Sequence, residues 1–575
     1  MNGARSTRRM AGPAIALALG TLAAAPHTTT PTTAIKVDQA GYLPALPKIA
    51  VVVSDSVPRA FTVKRATDDE VVFRGELTPP AADADSGDRV QAADFSVLRQ
   101  RGRFYLDVPG VGRSWTFAIE PDVYARAFYL AMRSFYGQRC GTDVDLGHEF
   151  PGYSYKACHR RGAFHPSSGR SGPAPSVRGW HDAGDYGRYV VNSGITTGTL
   201  LWTWELFGDR LRGVSLNIPE SGDRTPDMLH EIRWNLDWML SMQAEDGGVW
   251  HKQTSEHFPP FVLPHEDDLT SVIVGTGAEP YTSSCATADF AAVMAIAGRV
   301  YRPFDATYAQ QATAAARRAW TWLERHPNVL FRNPEGVTTG AYGDDDCGDE
   351  RLWAAAELAR TTGDAAYERY FSDRYRDQLP AIRAVGPPSW ANVGALGLWT
   401  YALGRGANTA AVSEIVDRSS RAADEIVRRV AAHPYRIPLV STDYVWGSNG
   451  VAANYGVQLL VANRLKADAR YIEAAAESLH YLLGRNTFSL SWLSGVGENP
   501  FRHPHHRPSG ADANREPWPG LLAGGPNRRP QDPAMKLMPA YPPAKGYLDD
   551  QESYASNENA INWNAALVFL LAALR

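Results

Sequence analysis

Cysteine is scarce: Cys140, Cys158, Cys285 and Cys347 are the four in a chain of 575 residues. That excludes a small disulfide-dense scaffold and leaves the fold to a hydrophobic core, for which 44% hydrophobic content is ample. An excess of one charge is lacking too. Lys and Arg number 58 and Asp and Glu 62, a formal net charge of -4, with no long basic run. This excludes a surface built to follow nucleic acid. Past the N-terminal segment no stretch is apolar enough to span a bilayer, so no membrane partner is expected. Aromatic residues, by contrast, are plentiful, with 16 Trp and 25 Tyr. Most belong in a core, but such an excess also suits sugar binding, because ring faces stack on the C–H faces of pyranoses.

The N-terminus, "MNGARSTRRMAGPAIALALGTLAAAP", has a basic start, an apolar middle and small residues near position 25. It reads as a signal peptide over 1–25, followed by a Thr/Pro linker over 26–34, and predicts secretion. The Arg8–Arg9 pair hints at the twin-arginine route. Residues 35–121 alternate β-branched and aromatic runs such as "KIAVVVS", "RAFTVKR", "GRFYLDV" and "RSWTFAIE" with turn clusters, which predicts a small β-sandwich. From residue 122 to 575 the period changes to that of helices. They are predicted after Asp122 and near 186–207, 226–244, 286–303, 306–326, 350–363, 409–434, 448–484 and 558–574. Long loops join them, the longest from Gly484 to Tyr554. Loops of that length in a compact domain are carriers of function or are disordered.

Three constellations carry candidate chemistry. "GWHDAGDYGRYV" sets Asp182 and Asp185 three apart, either as a helix start with one carboxylate as cap or as a carboxylate pair facing a ligand. "SWLSGVGENPFRHPHHRPSG" gathers His503, His505, His506 and Arg507 in one loop, as a solvated segment or a pocket rim. "YLDDQESYASNENAINWNAALVFLLAAL" leads an acidic loop into an apolar helix. Ser556 is a candidate cap there, and Glu558 is either a first-turn charge or a general acid.

Taken together these segments resemble glycoside hydrolase family 9, the cellulase family with an N-terminal immunoglobulin-like domain. "IKVDQAGYLPALPKIAVVV" looks like the start of that domain. "GWHDAGDYGRYVVNSG", "SWLSGVGENPFRHPHHR" and "YLDDQESYASNENAINWNA" look like the family's three catalytic signatures. The resemblance implies an immunoglobulin-like β-sandwich followed by an all-α (α/α)6 barrel. It implies hydrolysis of β-1,4-glucosidic bonds of cellulose or related β-glucans with inversion. By position, Glu558 becomes the acid, Asp185 the base and Asp182 its partner on the attacking water. His505, Arg507 and Asp549 hold the sugar and tune the carboxylates. Tyr444 and Trp446, in "DYVWGSN", and Tyr554 become candidate sugar-binding aromatics.

The resemblance also changes how the cysteines read. Cys140, Cys158, His159 and His181 form a complete structural zinc set, as in family members with this N-terminal domain, against a Cys140–Cys158 disulfide as the competitor. Asp345, Asp346, Asp349 and Glu350, in "GAYGDDDCGDERLW", together with Asn392 match a calcium loop of the family, against an acidic helix start. Cys285 and Cys347 are expected as buried or free thiols, with a disulfide as the alternative. The function expected is a secreted endoglucanase. An exo-acting relative releasing glucose, cellobiose or glucosamine is its neighbour. A non-catalytic carbohydrate-binding protein and a zinc hydrolase using His181 are the competitors from other classes.

Overall fold

The computed structural model describes Met1 and residues 30–575; the expected signal peptide and most of the linker, within residues 2–29, lie outside the described residues. Two antiparallel-rich sheets form the N-terminal layer. Strands β1 (Ile35–Lys36), β2 (Gly41–Tyr42), β3 (Ile49–Val53), β4 (Ala60–Arg65), β5 (Val71–Glu76), β6 (Ala81–Ala82), β7 (Arg89–Asp94), β8 (Gly102–Val108), β9 (Gly112–Arg113) and β10 (Phe117–Ile119) follow in order. One sheet runs β1-β3-β7-β6 and the other β2-β10-β8-β4-β5, with β9 against β8. Inward residues such as Val52, Val63, Leu106 and Phe117 fill the space between them. Tyr42, Phe95 and Phe117 meet edge to face or tilted, with centroids 5.2–5.3 Å apart. The polar strand "RVQAAD" of β7 was not expected. It forms because β3 supplies a continuous ladder, Ile49 to Asp94 through Val53 to Val90.

Twelve helices of ten residues or more follow among the described residues. They are α1 (Ala125–Gly137), α2 (Val190–Leu211), α3 (Asp227–Ser241), α4 (Ser284–Val300), α5 (Ala306–Arg325), α6 (Gly348–Thr362), α7 (Ala365–Gln378), α8 (Gly394–Leu403), α9 (Thr409–Ala432), α10 (Ser448–Leu465), α11 (Ala469–Leu482) and, after the short α12 (Arg507–Ala511) and α13 (Tyr554–Asn557), α14 (Ile561–Leu574). The even-numbered helices from α2 to α10, with α14, pack in a closed ring, α2 on α4, α4 on α6, α6 on α8, α8 on α10, α10 on α14 and α14 on α2. The others lie outside them, an (α/α)6 barrel. The inner helix α14, "INWNAALVFLLAAL", is apolar all round, whereas outer ones such as α5 and α9 carry a polar face. The stretch 448–484, expected as one helix, is two: the chain turns after Leu465, and Asp468 caps α11 by accepting from the Arg470 N–H. Helices α7 and α8 were not expected. The first has few apolar residues and the second is punctuated by glycine; each is held by packing on α6.

Small sheets line the top of the barrel. Strands β11 (Val144–Asp145) and β12 (Ser154–Tyr155) pair. Strands β13 (Gly162–Phe164), β14 (Pro173–Ala174), β15 (Arg188–Tyr189), β16 (Lys252–Thr254) and β17 (Ser271–Val274) form a sheet of order β14-β13-β17-β16-β15. The sandwich is fastened to the barrel by polar contacts. Buried Asp38 accepts from His480 at 2.8 Å, Lys36 donates to the Thr487 carbonyl, and the Tyr435 hydroxyl donates to Asp88. Cys285 and Cys347 form a disulfide, so the expectation of free thiols is corrected. It joins the first turn of α4 to the loop before α6; with a sequence separation of 62 it restricts the unfolded chain by about 4 kcal/mol in the chain-entropy picture. No described helix is long and apolar enough to cross a membrane.

Candidate active site and metal centre

The segment "HDAGDYGRY" is not a helix start. Helix α2 begins at Val190, and neither aspartate caps it. Asp182 and Asp185 instead lie in a turn closed by the Asp182 N–H on the Gly187 carbonyl, and both are buried. Two glycines make the turn possible. A Cβ on Gly184 would stand 1.9 Å from the His505 carbonyl oxygen, and one on Gly187 would stand 2.7 Å from an Asp185 carboxylate oxygen. The Gly184 carbonyl in turn accepts from the Arg507 amide and from its guanidinium, at 3.1 and 2.8 Å.

Each aspartate has its own donors. Asp182 accepts from Asn192 Nδ2 at 2.7 Å and from the Tyr342 hydroxyl at 2.6 Å. Asp185 accepts from the Tyr189 hydroxyl at 2.9 Å and from the Gly187 N–H at 3.1 Å. Burial first, and the neighbouring Asp185 charge second, push Asp182 up to about 7 against the pull of its two donors. Glu558 comes from the opposite end of the sequence. It was expected in the first turn of the last helix, but it precedes α14 in extended conformation. Its carbonyl accepts from Gly524 N–H, its backbone bridges His505, and the Asp182 carbonyl accepts from Ile561 N–H at the start of α14. Ser556 does not cap the helix; its hydroxyl bonds Ser553. Burial raises Glu558 well above the usual carboxyl range, and the charges of Asp185 and Asp182 raise it further. One site therefore holds an acidic pair on the α2 side and, near it, a carboxyl whose burial and negative neighbours favour its protonated form.

Aromatic rows flank these groups. On one side Phe261, His505, Tyr554 and Trp446 follow one another with centroids 5.2, 5.6 and 5.3 Å apart. On the other, Tyr189, Tyr342 and Trp390 follow at 4.8 and 5.0 Å. His505 Nδ1–H donates to the Gln551 carbonyl at 2.7 Å, which leaves Nε2 as a free acceptor; burial holds the ring down to about 4, hence neutral. His503 is exposed, and His506 is a buried cap of α12 whose Nε2 meets Gln138.

Three assignments change. Tyr444 is 1% exposed and packed in the core, so it offers no ring face to a ligand, whereas Trp446 is 40% exposed. Asp549 gives both oxygens to the N–H groups of Arg502 and His503 and to Asn557; it ties the histidine loop to the Glu558 loop. Arg507 donates to the Pro259 and Gly184 carbonyls, so it buttresses the aspartate turn. Sequence reasoning did not single out Tyr189, Asn192 and Tyr342. The first two sit in the same motif, four and seven residues after Asp185; Tyr342 sits in "GAYGDDD", where only acids were weighed.

Cys140, Cys158, His159 and His181 converge with all donor atoms within 4.8 Å of one another. The two sulfurs are 3.8 Å apart, too far for a disulfide, and His159 Nδ1 and His181 Nε2 lie 3.8 and 3.6 Å from Cys140 and Cys158. The His159 ring is oriented by Asp267 at 3.0 Å through its other nitrogen. These residues make a closed four-donor group able to hold a metal ion, and it lies directly before Asp182. At the acidic loop the distribution differs from the expected one. Asp345 is exposed on Arg332, and Asp346 is exposed. Asp349 accepts from Val393 N–H, and Asn392 pairs through its backbone with Ser389. Glu350 is fully buried with both carboxylate oxygens unpartnered, as is Asp289 on α4. Burial and their neighbours' charges raise both carboxyls well above the usual range.

An (α/α)6 barrel behind a β-sandwich, with this carboxyl set at its mouth, is a glycosidase architecture. Comparison with known proteins makes it particular. The profile of "Glycosyl hydrolase family 9" matches residues 124–571, and that of "Cellulase N-terminal ig-like domain" matches residues 30–113. The chain belongs to glycosyl hydrolase family 9. It is 39% identical to Endoglucanase D of Acetivibrio thermocellus over 94% of this chain and 83% of that one. It is 36% identical to the xyloglucan-specific endo-beta-1,4-glucanase BoGH9A of Bacteroides ovatus over 96% of each. Among solved structures, a Zn-binding triple mutant of the family 9 endoglucanase J30 superposes with a TM-score of 0.86 at 35% identity, over 93% of this chain and 99% of that one.

Proposed function

We propose that this protein is an endo-acting β-1,4-glucanase that inverts the anomeric carbon. The observation that carries the reading is the convergence of Asp182 and Asp185 with Glu558, whose burial and negative neighbours raise its pKa well above the usual carboxyl range. A glycosidic oxygen leaves poorly as an alkoxide, so Glu558 delivers its proton as the bond breaks. Water attacks from the other face; Asp185 takes its proton, and Asp182, fixed by Asn192 and Tyr342, orients it. His505 Nε2 and the Trp446–Tyr554 pair hold the sugar, the rings by stacking on its C–H faces. The substrate is β-glucan, cellulose or a relative of it, and the N-terminal segment exports the enzyme.

The four-donor group fits zinc: two sulfurs and two imidazoles at tetrahedral spacing, with an oriented outer partner for His159. Cys140, Cys158, His159 and His181 would hold it as a structural ion, whose bonds brace the loop before Asp182. For calcium, Asp349 and Glu350 fit in part, because the buried Glu350 oxygens have no other partner. The Asp345 and Asp346 carboxylates do not, being turned to solvent.

The test is the product course on cellohexaose. Inversion predicts the α-anomer as the first reducing sugar seen by NMR, and endo action predicts a mixture of cellobiose, cellotriose and cellotetraose from the start. A first β-anomer overturns the inverting reading, and a single small product overturns the endo reading.

A further inference from the structure

Lys252, on β16, is fully buried among the elements behind the aspartates and does not touch them by hydrogen bond. All its bonds go to one irregular loop. Nζ donates to Asn333 Oδ1 at 2.8 Å, the Gly340 carbonyl at 2.8 Å, Thr339 Oγ1 at 3.1 Å and the Thr339 carbonyl at 3.2 Å. Its neighbour His251 pins the next residue: its ring stacks on Phe331 at 3.8 Å, and Nε2–H donates to the Ala341 carbonyl at 2.9 Å. Three consecutive residues of the loop, 339–341, are thus held by two adjacent side chains, Lys252 at the start of β16 and His251 just before it. The residue delivered by that hold is Tyr342. Its backbone is left-handed, φ 44°, a conformation costly for a bulky side chain and kept only where its surroundings impose it. Its hydroxyl is the donor on Asp182 at 2.6 Å. Burying this amine carries a large desolvation cost, which its four hydrogen bonds to the loop and the nearby Asp185 charge offset.

We propose that Lys252 is a positioning residue of the hydrolytic site: it fixes the 339–341 backbone so that Tyr342 stays on Asp182 and aims that carboxylate. This rests on the reading of Asp182 as partner to the attacking water. It acts through Tyr342, not on the sugar, and that distinguishes it from a general support of the fold.

The test is a double-mutant cycle of Lys252→Met and Tyr342→Phe, with kcat and KM measured on cellopentaose and melting followed in parallel. Each single variant is expected to lose about tenfold or more in kcat, the size of one hydrogen bond to a charged group, with KM within about twofold. The double variant should lose no more than the worse single. Losses that multiply, a wild-type kcat in either single variant, or a lower melting point with unchanged kcat overturn the proposal. If Lys252→Met does not fold, Lys252→Gln, which keeps a polar side chain but shortens its reach to the loop carbonyls, takes its place in the cycle with the same outcomes. Glu558→Gln run alongside separates the two levels. If it is inactive while Lys252→Met has wild-type kcat, only the role of Lys252 falls; if it is fully active, the assigned site falls and this role with it.

Discussion

Replacing Glu558 by Gln removes the proposed acid while keeping its size and hydrogen-bonding shape. The structure sets what should be lost. A carboxyl at its ordinary value of 4.5 would be about 1% protonated near pH 6.5. Enclosure at the barrel mouth, and then the charges of Asp185 and Asp182, raise Glu558 well above that ordinary value and so increase the fraction that carries the proton. General acid catalysis is worth about 10²–10⁴-fold, or about 3–5 kcal/mol of barrier. On cellopentaose the variant should lose that factor in kcat. On an aryl cellobioside whose phenol leaves without protonation it should keep most of it, because Asp185 and the water are untouched. The wild-type rate on cellopentaose should also fall as pH rises through the Glu558 pKa, and this alkaline limb should vanish for the variant on the activated substrate. Equal losses on both substrates would refute the assignment of Glu558 as acid, and so would a surviving alkaline limb.

Asp182 makes a prediction about stability. Its folded pKa, about 7, lies above its ordinary 3.8, so the folded protein binds this proton more tightly than the unfolded chain. The resulting stability is fully present below about pH 4 and is lost as pH rises through 7. Asp182→Asn, which cannot ionise, should therefore gain melting temperature over the wild type as pH is raised from 4 to 8; a gap that does not grow with pH contradicts the buried-pair account. Metal removal is the third. Zinc measured by mass spectrometry should stand near one per chain. Stripping it with a strong chelator, or Cys140→Ser, should lower the melting point and the activity together, since the donor group and Asp182 are adjacent in sequence. A metal-free protein with an unchanged melting point would show that the four side chains hold nothing.

Much of the site was legible because its residues are clustered in sequence. Asp182 and Asp185 lie in one turn, His505 and Arg507 in one loop, and Glu558 stands just before the last apolar helix. The candidate metal set was legible through the family resemblance, which joined Cys140 to the neighbouring pairs Cys158–His159 and His181–Asp182 and left a Cys140–Cys158 disulfide as competitor; the structure brings the four donors together. What misled was local pattern without its partners. "DYVWGSN" marks two aromatics alike, but packing buries Tyr444 and leaves Trp446 open. Asp549 and Arg507 look like ligand-binding charges, yet each is committed to backbone groups that only a folded loop brings to it.

The class of most segments, the order of sandwich and barrel, and the stock of side chains able to move protons were legible in the residues, because periodicity and residue chemistry are local; β7, α7 and α8 were not, because tertiary packing forms them. The tertiary structure alone decided which groups share a site. It set Glu558 against Asp182 and Asp185 across more than three hundred and seventy residues, joined Cys285 to Cys347, and brought Tyr342 onto Asp182 through a loop held by Lys252. Protonation states follow from that assembly, since burial and neighbouring charge exist only once the chain has closed.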